Sequence, residues 1–84
     1  MNSKQYKTLK AILEKPSRKN ILWSEIEKLF DSLGAEIANK GSSVVTIKMG
    51  GKPKTFHRPH PEKEAAAYCV TKVRQFLIEN GIRL

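Results

Sequence analysis

A chain of 84 residues has room for one domain with a thin core, too thin to enclose a large cofactor. Sixteen Lys and Arg against eight Asp and Glu give a formal charge of +8, a field that draws polyanions and points to RNA, DNA or an acidic protein as partner. The single cysteine, Cys69, allows no internal disulfide and falls short of a zinc site; no apolar run could span a bilayer, and "MNSKQYKTLK" lacks a signal-peptide core. A soluble cytoplasmic protein with no membrane contact, no metal and no cofactor is expected.

"SKQYKTLKAILEK" (3–15) has Tyr6, Leu9, Ile12 and Leu13 at helical spacing, with Ser3 as the expected N-cap. Pro16 stops the helix and opens the basic loop 16–20. "SEIEKLFDSLG" (24–34) reads as a second helix. Ser24 and Glu27 form a capping-box pattern, Ile26, Leu29, Phe30 and Leu33 make the inner face, and Gly34 is the stop. Trp23 is expected to pack in the core.

The period then changes. "AEIANKG", "SVVTIKM" and "KTFHR" read as three antiparallel strands, with turns near Gly41 and at Gly50–Gly51. Alternation points Val45, Ile47, Met49 and Phe56 inward and Thr46, Lys48, Thr55 and His57 outward. Lys54 and Arg58 fall on the inner side at the strand ends, where long stems reach water. "PEKEAAAYCVTKVRQFLIEN" (61–80) reads as the last helix. Pro61 is expected in its first turn, Glu62 and Glu64 at the positive end of its dipole, and Ala66, Cys69, Val70, Val73, Phe76, Leu77 and Asn80 along the buried side. Ile82 and Leu84 are read as a short tail folding back.

The order α-α-β-β-β-α implies an α+β two-layer domain: a three-stranded antiparallel sheet covered on one face by helices, as in double-stranded-RNA-binding domains. Residues 1–84 are read as one domain, with 1–20 as an N-terminal helix and basic loop and 21–84 as the core.

Between residues 37 and 60 the chain carries Lys40, Lys48, Lys52, Lys54 and Arg58 and no acidic residue. Such a patch suits phosphate contacts without sequence choice; a solvated face is the alternative. Lys4, Lys7, Lys10, Lys15, Arg18 and Lys19 form a second cluster. The stretch "FHRPHP" (56–61) adds both histidines. Metal-free RNA cleavage needs a base for the 2′-OH and an acid for the leaving oxygen, and histidine does either near neutral pH. Lys48, Lys54 and Arg58 would stabilise charge on the phosphate. His60 has a structural alternative as an N-cap. Cys69 falls on the apolar side of a helix, and Ser42 and Ser43 have no adjacent acid.

A helix ending in Leu33–Gly34, the "KGSSVVTIKM" strand, and "FHRPHP" leading into a helix closed by "NGI" resemble the HicA family of bacterial toxins, and "KPSRKNILWSEIEKLFDSLGAEI" resembles its longer branch. The resemblance covers nearly the whole chain. It implies a fold similar to double-stranded-RNA-binding domains, ribosome-independent cleavage of mRNA and neutralisation by a HicB antitoxin that covers the active surface. The family motif is Gly-Ser/Thr-His, with that histidine catalytic. Here it reads Gly41–Ser42–Ser43, so Ser43 stands in the catalytic place. Either His57 takes over proton transfer, or the chain binds RNA or only its antitoxin without cleaving. By the same resemblance His60–Pro61 matches a Pro-x-His-Pro element, which implies a supporting role for both.

Overall fold

The computed structural model describes residues 1–18 and 20–84; Lys19, assigned above to the N-terminal basic cluster, lies outside the described residues. The elements are α1 (Ser3–Leu13), α2 (Trp23–Ser32), β1 (Glu36–Asn39), β2 (Val44–Met49), β3 (Lys52–His57) and α3 (Ala67–Glu79). The α-α-β-β-β-α order and the open antiparallel sheet, in strand order β1-β2-β3, agree with the fold expected from the sequence.

Val45 pairs with Phe56 and Ile47 with Lys54 across β2 and β3, while Ile37 pairs with Ile47 across β1 and β2. Strand alternation therefore buries Val45, Ile47, Met49 and Phe56 together beneath the helices and leaves Lys48, Thr55 and His57 exposed. Gly50 and Gly51 form the two-residue loop between β2 and β3, with φ of 58° and 78°. That pair of positive angles suits the twist of a tight hairpin. A Cβ on Gly50 would also lie 2.8 Å from Asn80 Oδ1. Pro53 is tolerated in β3 because this is an edge strand.

Phe56 is the hub of the core. Its ring centroid lies 5.8 Å from Trp23, 6.3 Å from Phe30 and 6.1 Å from Phe76, so β3, α2 and α3 meet on one aromatic cluster. Burying each such ring stabilises the fold by about 2–3 kcal/mol. Helix α1 adds Leu9 and Ile12, both fully buried. It is fastened to α3 by Arg74, only 7 % exposed, whose guanidinium donates to the carbonyls of Ile12 (3.3 Å) and Glu14 (2.7 Å). This cation caps the negative end of α1. The hydroxyls of Ser17 and Thr71, 2.5 Å apart, add a second tie.

Three expectations need correction. The cap of α1 is Asn2, not Ser3: its side chain accepts from Gln5 N at 2.9 Å while Gln5 returns a bond to Asn2 N, a complete capping box one residue earlier. Helix α2 begins at Trp23, so Ser24 lies inside it, and no side chain caps it. Trp23 N donates instead to Lys63 O at 3.0 Å, Ala65 N donates to Ile21 O at 2.8 Å, and Leu22 bridges Glu64. The same pairing keeps residues 63–65 outside the helix. Helix α3 therefore starts at Ala67 rather than in the first turn after Pro61; Pro61, Glu62 and Glu64 lie outside it, and Ala65 is buried in place of Ala66. At the chain end Ile82 packs on the core, while Leu84 is exposed.

Candidate functional site

Two turns meet at one end of the sheet. The β1–β2 connection, 40–43, is closed by Lys40 N donating to Val44 O at 2.9 Å. The chain leaving β3 crosses beside it, with Arg58 N donating to Ser43 O at 2.7 Å. Since His57 pairs with Val44, backbone hydrogen bonding alone brings the Gly41–Ser43 motif next to the "HRPH" segment.

Arg58, Pro59 and His60 form a ridge flanked by three hollows. One, of about 410 Å³, is lined by Ser42, Ser43, Arg58, Pro59 and His60. The second, of about 540 Å³, lies toward α3 and has His57, His60 and Tyr68 on its walls, with Glu62 and Glu64 also lining it. The third, also about 540 Å³, lies toward α2 and includes Leu22, Trp23, His60 and Lys63. These volumes are in the range that takes a nucleotide-sized ligand. His60 fronts all three hollows; His57 fronts the second. His60 caps no helix, since α3 begins seven residues later, and its side chain is exposed. The N-cap alternative for His60 is removed.

Arg58 is held from behind. Its Nε donates to Glu27 Oε2 at 2.7 Å and its Nη2 to Glu27 Oε1 at 3.5 Å and to Asn39 Oδ1. Trp23 Nε1 donates to the same Glu27 carboxylate. One carboxylate thus joins α2 to the ridge, and the arginine is three-quarters covered. The bonds from Nε and Nη2 fix the backbone between the two histidines. Glu27, which the sequence pattern assigns to a helix cap, does this instead.

The lysines do not share one place. Lys40 adjoins the Ser42–Ser43 turn, whereas Lys48 pairs with Pro53 and Lys52 with Met49 at the opposite, hairpin end. Lys54 is half-buried on the covered side. Lys48 and Lys54 are therefore not grouped with His57 as the sequence suggests. Lys72, from α3, donates to Thr55 O on the outer edge of β3 and sits 5.0 Å from the Phe56 ring centroid. Cys69 is buried; burial pushes its thiol above the usual 9.0, with Lys72 pulling weakly the other way. That argues against a thiolate nucleophile. Among the described residues, no three His, Cys, Asp or Glu side chains cluster as metal ligands, and no described helix is long and apolar enough to cross a membrane.

Sequence reasoning missed Tyr68, Lys63 and Asn39. Tyr68 left a signal: an aromatic off the apolar stripe of the last helix, 74 % exposed here. Lys63 and Asn39 left none, because their places depend on pairing across the fold.

Comparison with protein-family models matches residues 23–82 to the model described as HicA toxin of bacterial toxin-antitoxin. The chain belongs to the HicA toxin family. Searches of the curated proteins and of the solved structures returned no match. HicA membership places the chain among the toxins of toxin–antitoxin systems and implies an antitoxin partner. The HicA match begins at Trp23, so α1 and the basic loop precede it, and it includes both turns and the ridge.

Proposed function

We propose that this HicA chain binds RNA at the ridge and cleaves mRNA by metal-independent acid–base chemistry, until a HicB-like antitoxin covers the same end of the sheet. The observation that carries the reading is the shared hollow of about 540 Å³ with His57 and His60 on its walls. An internucleotide phosphate lies between the two imidazoles. Neutral His57 takes the proton of the 2′-OH. The 2′-oxygen attacks phosphorus, the bond from phosphorus to the 5′-oxygen breaks, and protonated His60 delivers a proton to that oxygen. The products are a 2′,3′-cyclic phosphate and a 5′-hydroxyl. Lys40 supplies positive charge near the turn, and Lys48, Lys52 and Lys54 add long-range attraction. Arg58 positions the histidines from behind, held by Glu27 and Asn39. Ser43, in the family's catalytic place, lines the neighbouring hollow with His60, where it would contact the adjoining nucleotide.

Purified protein incubated with mRNA in chelator tests this. Cleavage by the native chain is expected, with a loss of about 10²–10⁴-fold in His57→Ala and in His60→Ala. RNA carrying a 5′-bridging sulfur, a leaving group that needs no proton, should restore His60→Ala and not His57→Ala. Equal cleavage by native protein and His57→Ala overturns the role of His57. The presence of Ser43 where the family has histidine favours a second reading, a non-cleaving RNA-binding module. Salt-sensitive RNA binding without cleavage by any variant would decide for it.

A further inference from the structure

The hollow toward α2 does not end at the ridge. Leu22, 41 % exposed, forms part of its wall and also part of another hollow, about 230 Å³, between α1 and residues 20–22. Lys7, Thr8 and Arg18 line that space. Shared walls thus make one track, from α1 past Leu22 to Lys63 and His60, and over the ridge to His57.

Charge at the α1 end of the track is positive. Helix α1 carries Lys4, Lys7 and Lys10 and no acidic residue. The carboxylates beside it are engaged: Glu25 by Lys4 at 3.4 Å and Lys28 at 3.8 Å, Glu14 by Arg18 at 2.6 Å. Neither Lys7 nor Lys63 is in an ion pair among the described residues. The opposing charges are Glu25, which lines the hollow at α1, and Glu62 and Glu64 beside the histidines. The α1 wall is rigid, because Leu9, Ile12 and the Arg74 cap fix the helix to α3. A fixed, lysine-bearing helix at the end of an open track is built for a chain of phosphates, each held without regard to sequence.

We infer that α1 and the Leu22 track form a second RNA subsite, in which Lys63 and then Lys7 hold phosphates of nucleotides flanking the one at the histidines. It lies largely outside the stretch matched to the family and rests on the RNA reading of the ridge. RNA bound to the chain therefore covers more than the reacting nucleotide, and its hold strengthens with length until α1 is reached.

The test uses the full chain and 2′-O-methyl oligoribonucleotides, which lack the attacking hydroxyl, at lengths of about 3 to 12 nucleotides and several salt concentrations. Native protein and the Lys7→Gln/Lys63→Gln double variant are compared, with thermal melting to confirm that both fold. On the longest oligonucleotides the variant should bind roughly tenfold more weakly, with a salt slope of log K smaller by about 1.4, or about 0.7 per lost phosphate contact. Identical affinity and slope at every length overturn the subsite and leave the ridge reading intact. No RNA binding by the native chain at any length overturns both. Amide resonances of Lys7 and Lys63 that shift with poly-glutamate and not with RNA also overturn the inference, and assign the track to an acidic protein.

Discussion

The two ends of the sheet are both basic and otherwise unlike. At the hairpin end, Lys48 and Lys52 flank a Gly50–Gly51 turn that is pressed against Asn80 and belongs to the packing of α3. At the other end, Lys40 accompanies Ser42, Ser43 and both histidines, and the surface is hollowed on three sides of Arg58–His60. Positive charge alone therefore does not distinguish the two ends. Among the described residues, both histidines and the three hollows lie together at one end.

Breaking this contrast tests it. The largest effect belongs to the ridge: His57→Ala should cut RNA cleavage by about 10²–10⁴-fold. Lys48→Ala with Lys52→Ala should cost less than about tenfold, all of it removable by added salt. Comparable losses in the two would erase the distinction. At the hairpin, Gly50→Val forces a β-branched residue to positive φ and into Asn80. It should lower stability by about 2–3 kcal/mol in urea unfolding, with the rate per folded molecule kept. Glu27→Ala leaves Arg58 three-quarters covered without its carboxylate. A loss of about 1–2 kcal/mol is expected, and here cleavage should fall as well, while Glu27→Gln recovers part of both. Undiminished cleavage in folded Glu27→Ala would detach Arg58 from the site.

The smallest effect is at Cys69. Its proton is held more tightly folded than unfolded, so the unfolded chain releases it first as pH rises. Stability is therefore full below pH 9.0 and declines above it, through the folded thiol's higher value. Urea titrations from pH 7 to 10.5 should show this decline, and Cys69→Ala should flatten it. A Cys69 contribution that rises with pH would contradict the buried-thiol assignment.

What could be read beforehand follows the range of the interactions. The strand faces of Val45, Ile47, Met49 and Phe56 rest on alternation, and the Gly50–Gly51 turn on local backbone freedom, so both were legible. The beginnings of α2 and α3 were not. Ser24–Glu27 and Pro61 carry genuine local signals, but pairing of 21–23 with 63–65 satisfies the same backbone groups at a distance of some 40 positions and overrides them. The site divides in the same way. His57 was legible as an outward residue on its strand. The exposure of His60 on the ridge depends on α3 starting late, and the restraint of Arg58 depends on Glu27, 31 residues earlier. Arg74 was hidden for a related reason: nothing near it in the chain announces that the end of α1 arrives above it.

The Leu22–Glu64 bridge has a consequence for genetics. It ties residues 63–65 to the start of α2, while Arg58 is tied to Ser43, so the segment from Arg58 to Ala65 that carries His60 is anchored at both ends. In a selection for cells that survive expression of the toxin, escape mutations should not gather only at the histidines. Proline at Ala65 would remove the N–H that Ile21 O accepts, and bulky replacements at the buried Ile21 and Ala65 would slacken the same anchor, so survivors should include these positions, with a loss of stability visible in urea unfolding.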